Sequence, residues 1–211
     1  MSERVHPYAG LLAFAARVIS GAHARWLDCG PELRPRIYFA NHTSHLDFVV
    51  LWSVLPPELR LRTRPVAARD YWDTTPLRRY LAKHVFHAVL TERPSAAEGT
   101  RFLGRAFFDP FLAELDRGHA LILFPEGTRG TGDDVRPFKG GLYHLCRLRP
   151  EVEAIPVYLE NLNRILPKGE YLPVPLLSRV IFGPPIRPWD GEEKPEFLER
   201  ARAAVCRLKS A

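Results

Sequence analysis

Residues 36–55 read RIYFANHTSHLDFVVLWSVL, and this stretch decides the fold. It opens with an apolar and aromatic run, Arg36 to Ala40, of the kind that lies buried in a sheet, and breaks at Asn41. It resumes as a helix over Phe48 to Leu55, which Pro56 and Pro57 stop. A strand that passes through a short polar loop into a helix is the opening of a crossover unit. His42 is therefore expected at the carboxyl edge of a strand, and Asp47 in the first turns of the helix after it.

The same alternation runs outward through the chain. Pro65 to Ala68 and Val85 to Leu90 are expected as strands on either side of a helix containing Leu77 to Lys83. Phe102 to Arg117 is helical in pattern, with Pro110 expected to kink or divide it. Ala120 to Phe124 reads as a buried strand, Gly141 to Arg149 as a helix, Ala154 to Leu159 and Arg179 to Phe182 as strands, and Glu196 to Leu208 as a closing helix. Strands alternating with helices imply an α/β fold with a largely parallel central sheet flanked by helices, in which chemistry gathers at the carboxyl ends of the strands. At the other end, Tyr8, Leu11, Leu12, Ala15, Val18, Ile19, Ala22 and Trp26 recur at three- and four-residue spacing, which predicts one amphipathic helix over Tyr8 to Trp26. Such a helix packs on its own core or also lies in a membrane interface, and the pattern leaves both readings open. The expected division is an N-terminal amphipathic helical segment over 1–30 and an α/β domain over 31–211.

Composition narrows the partners. The 30 basic residues exceed the 24 acidic ones, and the lysines are Lys83, Lys139, Lys168, Lys194 and Lys209, so arginine carries the excess. That balance favours anionic partners without choosing among nucleic acid, phosphorylated substrates and an anionic membrane surface. Cys29, Cys146 and Cys206 are scattered and make no CxxC pair, so neither a disulfide framework nor a zinc site is expected, and no metal is assigned. No secretory signal and no bilayer-spanning run is read, and the expected location is the cytoplasm, in peripheral contact with the cytoplasmic face of a membrane.

Two constellations carry chemistry. In the first, His42 and Asp47 point in different directions on a continuous helix, so they meet only if the backbone turns between them, with Ser44 as the N-cap that supplies the turn. A hydroxyl that attacks a carbonyl needs a base, and an imidazole oriented by a carboxylate is suited to it. A capping box, in which Asp47 bonds back to Ser44 three residues earlier, explains the same residues with no chemistry at all. His45 is a rival base placed closer to Asp47. The second constellation is Phe124-Pro125-Glu126-Gly127-Thr128-Arg129-Gly130, a tight loop at the end of a buried strand. Arg129 offers a planar clamp for phosphate and Thr128 a hydroxyl. Glu126 repels phosphate, so it anchors the loop, pairs with Arg129 or binds a glycerol hydroxyl. Lys139, ahead of the helix at Gly141, adds a cation and helix-start N–H groups to the same anion site. A solvated Pro/Gly turn is the bland alternative for this loop.

Asn41-His42 with Asp47 five positions on, followed later by Phe-Pro-Glu-Gly-Thr-Arg at 124–129, resembles the glycerolipid acyltransferase family, and within it the 1-acyl-glycerol-3-phosphate (lysophosphatidate) acyltransferases. The resemblance implies that His42 is the general base, Asp47 its orienting partner, and Glu126, Gly127, Thr128 and Arg129 part of a glycerol phosphate site. It implies a further phosphate ligand at Arg93, at the end of the apolar run from Val85. That motif departs from the family pattern: its early glycine is missing, His87 stands nearby, and the pair is Glu92-Arg93 where Asp-Arg is commoner. Ala154-Ile155-Pro156-Val157-Tyr158 resembles the family's proline-containing strand, which helps to line the acyl-binding region.

The expected reaction is then transfer of an acyl group from acyl-CoA or acyl-carrier protein, as co-substrate, to a lysophospholipid, with no cofactor. Acceptor identity, donor type, acyl length and oligomeric state stay open. A hydrolase of the α/β type lacks support because no serine here is flanked by glycines two residues before and two after it. No nucleic-acid motif and no phosphate-binding loop or dinucleotide fingerprint accompanies the charge, so nucleic acid is not expected as a partner.

Overall fold

The computed structural model describes residues 7–44, 46–92, 104–130, 134–161 and 178–211. The elements run α1 (Pro7–Ser20), β1 (His23–Trp26), β2 (Arg36–Ala40), α2 (Asp47–Val54), α3 (Pro57–Leu61), β3 (Thr63–Ala68), α4 (Arg69–Trp72) and α5 (Pro76–Tyr80). They continue with β4 (Val89–Thr91), α6 (Arg105–Asp116), β5 (Ala120–Leu123), α7 (Gly141–Leu148), β6 (Glu153–Leu159), β7 (Arg179–Phe182) and α8 (Lys194–Leu208). Seven strands form one sheet in the order β1-β7-β6-β2-β5-β3-β4. The pairs from β6 across to β4 are all parallel, and β7 joins β6 antiparallel while β1 runs parallel to β7. This is the expected α/β architecture, with β2 and β5 as central neighbours.

Alternation along β2 explains the two layers. Tyr38 and Ala40 face α1 and α2, in a cluster that includes Ile122, Ile155, Val157 and Phe182. Ile37 and Phe39 face the other way, toward Phe108, Leu112 and Leu115 of α6, Leu142 and Leu145 of α7, and Phe197 and Val205 of α8. Every residue of β2 is buried, as a continuous apolar run between two helical layers requires.

Three expectations need correction. The helix that the spacing extends to Trp26 ends at Ser20, because Gly21 takes a positive φ of 56° and the chain turns into β1, an edge strand paired with β7. Of the segment 1–30, the described residues form α1 up to Ser20 and then the strand β1. Second, Val85 and Phe86 are not strand residues. The helix beyond α5 widens into a π turn over Leu81–Val85, where the Phe86 N–H donates to the Leu81 carbonyl, and Phe86 buries against Trp52, Phe48 and Trp72. His87 then adopts φ 48°, which no strand ladder accommodates, so β4 starts at Val89. Third, Pro110 sits inside α6 without dividing it, since Phe108, Phe111, Leu112 and Leu115 bury one face of the helix on both sides of it.

Candidate active site

The parallel run of β2 and β5 brings two loops to one edge of the sheet: the loop after Ala40 and the loop after Leu123. Asn41 begins the first. Its side chain continues the ladder, accepting the Leu159 N–H at 2.7 Å and donating to the Leu159 carbonyl at 3.0 Å, so the end of β2 is fixed to the end of β6. His42 comes next, with its side chain 24 % exposed.

His42 Nδ1 lies 2.8 Å from Asp47 Oδ2. The same oxygen accepts the backbone N–H groups of Thr43 at 2.6 Å and Ser44 at 2.9 Å. One carboxylate oxygen thus holds the imidazole and two loop N–H groups ahead of α2, and the helix itself has no side-chain cap. Ser44 is not the N-cap itself. α2 begins at Asp47 with Leu46 before it, and the Ser44 hydroxyl takes the Leu46 N–H at 3.3 Å. Asp47 is fully buried, and its other oxygen, Oδ1, has no hydrogen-bond partner among the described residues. Because Asp47 accepts at Nδ1, that nitrogen carries the proton in neutral His42, and Nε2 is the lone-pair nitrogen at the partly exposed side. The Phe124 ring stacks on the imidazole with centroids 4.4 Å apart and planes 27° apart, fixing its tilt from behind.

The second loop grips the same residue by its backbone. Glu126 Oε1 accepts the His42 N–H at 2.8 Å, and the Gly130 N–H donates to the His42 carbonyl at 2.8 Å. The second Glu126 oxygen accepts the Arg136 N–H at 3.3 Å. With both oxygens engaged by main chain and only 4 % of the residue exposed, Glu126 anchors the loop and makes no ion pair with Arg129 among the described residues. Burial pushes its carboxyl above the ordinary range, against the two N–H donors that pull it down.

Gly127 has φ 71°, and a β-carbon there would stand 2.7 Å from Lys139 Nζ, so the lysine chain lies directly across it. The Lys139 N–H is taken up by the Pro125 carbonyl at 2.8 Å, which closes the loop and removes that amide from any anion site. Thr128 is exposed and Arg129 half-buried. The structure thus collects His42, Asp47, Glu126, Gly127, Thr128, Arg129 and Lys139 at one place. Arg93 and His45 lie outside the described residues. Sequence reasoning missed two participants: Phe124, whose aromatic ring beside the loop was the available signal, and Arg136, for which an arginine-rich chain offers none. Among the described residues no group of His, Cys, Asp and Glu is arranged to hold a metal ion.

The fold and the sequence have counterparts elsewhere. A solved structure, that of the 1-acyl-sn-glycerophosphate (LPA) acyltransferase PlsC from Thermotoga maritima, shares the fold with a TM-score of 0.71 at 17 % identity, over 96 % of this chain and 78 % of that one. Curated relatives include a 1-acyl-sn-glycerol-3-phosphate acyltransferase of Limnanthes douglasii, 29 % identical over 152 residues that make up 71 % of this chain and 50 % of the relative. Another is the human 1-acyl-sn-glycerol-3-phosphate acyltransferase alpha, 25 % identical over 180 residues, 83 % of this chain and 59 % of the relative. The chain spans about half the length of the curated relatives it matches. The profile of the Acyltransferase family covers residues 27–160, more than half of the sequence and the whole stretch from β2 through the Glu126 loop to β6, and the chain belongs to that family.

Proposed function

We propose that this protein transfers a fatty acyl group from a thioester, acyl-CoA or acyl-carrier protein, to the free hydroxyl of 1-acyl-sn-glycerol-3-phosphate, giving phosphatidate. The observation that carries the reading is the 2.8 Å bond between His42 Nδ1 and Asp47 Oδ2, which leaves Nε2 as the lone-pair nitrogen of a side chain that is partly exposed. Nε2 takes the hydroxyl proton as the oxygen attacks the thioester carbon, and Asp47 stabilises the imidazolium that results. Collapse of the tetrahedral intermediate breaks the carbon–sulfur bond, and the imidazolium returns its proton to the departing sulfur. An ester bond replaces the thioester with no covalent enzyme intermediate. Arg129 and Lys139, neither paired with a carboxylate among the described residues, supply positive charge for the acceptor's phosphate. The names of the relatives point to the same acceptor.

The acceptor is a lipid, and α1 is built to meet one. Its small residues Ala9 and Ala13 pack inward on α2, while Tyr8, Leu11, Phe14, Val18 and Ile19 are exposed on the outer side. Among the described residues no helix is long and apolar enough to cross a membrane. An apolar outer face on such a helix suits attachment in the interface plane.

Purified protein given lysophosphatidate and labelled acyl-CoA or acyl-carrier protein in detergent micelles tests the reading. Phosphatidate should form, and His42→Ala should abolish it without loss of fold, since Asp47 keeps its two backbone donors. An undiminished rate in the variant would remove His42 as the base. Release of free fatty acid at full rate without acceptor would make the protein a hydrolase.

A further inference from the structure

Several described arginines are ion-paired: Arg36 with Glu32 and Glu153, Arg149 with Asp116, Arg179 with Glu160 and Arg200 with Glu192. Arg136 behaves differently. Its backbone N–H is committed to Glu126, the carboxylate whose other oxygen holds His42, so its α-carbon is fixed relative to the base. Its guanidinium is exposed, and Nη1 reaches back over the loop to the Thr128 hydroxyl at 3.4 Å and the Arg129 carbonyl at 3.5 Å. Both are long bonds from one nitrogen, and among the described residues Arg136 has no carboxylate partner. Arg129 shares that lack, and the Lys139 chain crosses Gly127 in the same loop. Three cationic side chains, Arg129, Arg136 and Lys139, thus belong to or cross the loop that holds His42, and Glu126, the carboxylate whose charge acts on Arg136, is buried with both oxygens on main-chain N–H groups.

A phosphate monoester carries about −1.5 to −2 charges at neutral pH and three strong acceptor oxygens, whereas a phosphodiester carries one charge and fewer free oxygens. Two guanidiniums and an ammonium exceed what a diester can neutralise. They match a terminal monoester, and leaving such a cluster unfilled is unfavourable through mutual repulsion. We propose that Arg136 is a third ligand of the acceptor's head group and sets a preference for a phosphate monoester over a phosphodiester. The side chain swings from its long bonds to Thr128 and Arg129 onto the phosphate, while its main chain stays bound to Glu126. This inference rests on the lysophosphatidate reading above and adds the residue that discriminates among acceptors.

Because the anchoring contact belongs to the backbone, a substitution at 136 removes the guanidinium alone. Initial rates of wild type, Arg136→Ala and Arg136→Lys are to be measured in neutral detergent micelles with lysophosphatidate and with lysophosphatidylglycerol, at saturating acyl donor. For Arg136→Ala the KM for lysophosphatidate should rise roughly tenfold or more with kcat little changed, the loss expected for one charge-assisted bond. The KM for lysophosphatidylglycerol should move far less, and Arg136→Lys should recover part of the loss. An unchanged KM for lysophosphatidate overturns the proposal, and so does an equal loss of kcat/KM on both acceptors, which would mean that Arg136 only shapes the loop. A rise confined to the KM of the acyl donor overturns it in favour of donor binding. If wild type acylates neither acceptor, the reading of the acceptor falls first and Arg136 with it, and that outcome is distinct from the other three.

Discussion

Glu126 Oε1 accepts the backbone N–H of His42 at 2.8 Å, so a carboxylate at the end of β5 sets the position of the histidine at the end of β2. Its second oxygen holds Arg136. Glutamine cannot replace it well, because its amide nitrogen would face one of two N–H donors. Glu126→Gln should cost about 1–3 kcal/mol of stability, the penalty for a buried donor left unsatisfied. It should also lower kcat, and chemical denaturation with initial rates checks both.

The same residue gives a pH dependence. Burial raises the folded carboxyl above its ordinary 4.5, so the folded state holds this proton more tightly than the unfolded chain does. A raised pKa contributes stability that is present below 4.5 and lost as pH rises through the folded value. The stability difference, wild type minus Glu126→Gln, should therefore shrink from pH 4.5 upward. Denaturation midpoints measured across that range test the sign; a difference that grows with pH would contradict it.

Asp47 Oδ2 receives three N–H groups, and in the proposed reaction it also faces the charge of a forming imidazolium. Asp47→Asn keeps the shape but loses the charge and allows the wrong tautomer of His42. The kcat should fall by about 10³–10⁴, the scale set by the same exchange in Ser-His-Asp triads. Circular dichroism should stay that of the native fold, since an amide oxygen still accepts from Thr43 or Ser44.

How much of this was legible in advance depends on the range of the contacts. β2 and β7 end where the sequence says, because each is an apolar run behind a single arginine, closed by Asn41 in one case and by Gly183-Pro184 in the other. β1 was hidden, since Trp26 continues the helical spacing of α1 and only the turn at Gly21 separates them. Val85 and Phe86 misled for the opposite reason: their apolar character serves a helix end packed on Trp52 and not a ladder. His42 and Asp47 were readable as a pair because five residues of spacing admit a local turn. The grip of Glu126 on the His42 backbone was not, because it exists only once β2 and β5 are neighbours in the sheet.

Phe124 stacks on the imidazole at 4.4 Å and is not among the groups proposed to bind the acceptor's phosphate. An aromatic pair of this kind is worth about 0.5–1.5 kcal/mol, so Phe124→Leu should lower kcat by up to roughly tenfold with little change in either KM. Steady-state kinetics with each substrate varied in turn separates this from a binding defect.

On α1, Leu11 and Phe14 are 65 % and 59 % exposed. Leu11→Asp with Phe14→Asp should weaken binding to vesicles containing anionic lipid by roughly tenfold or more, given the transfer energy of two large apolar side chains. Thermal stability should hardly change. Ala13→Leu, at a fully buried position against α2, should do the reverse.

The double hold on His42, by Glu126 on one side of its peptide and Gly130 on the other, also bears on the order in which the protein is made. A ribosome releases the histidine and its aspartate long before the residues that steady them. A nascent chain that carries the first motif alone has an imidazole with no fixed seat, and competence arrives only when β5 slides in beside β2.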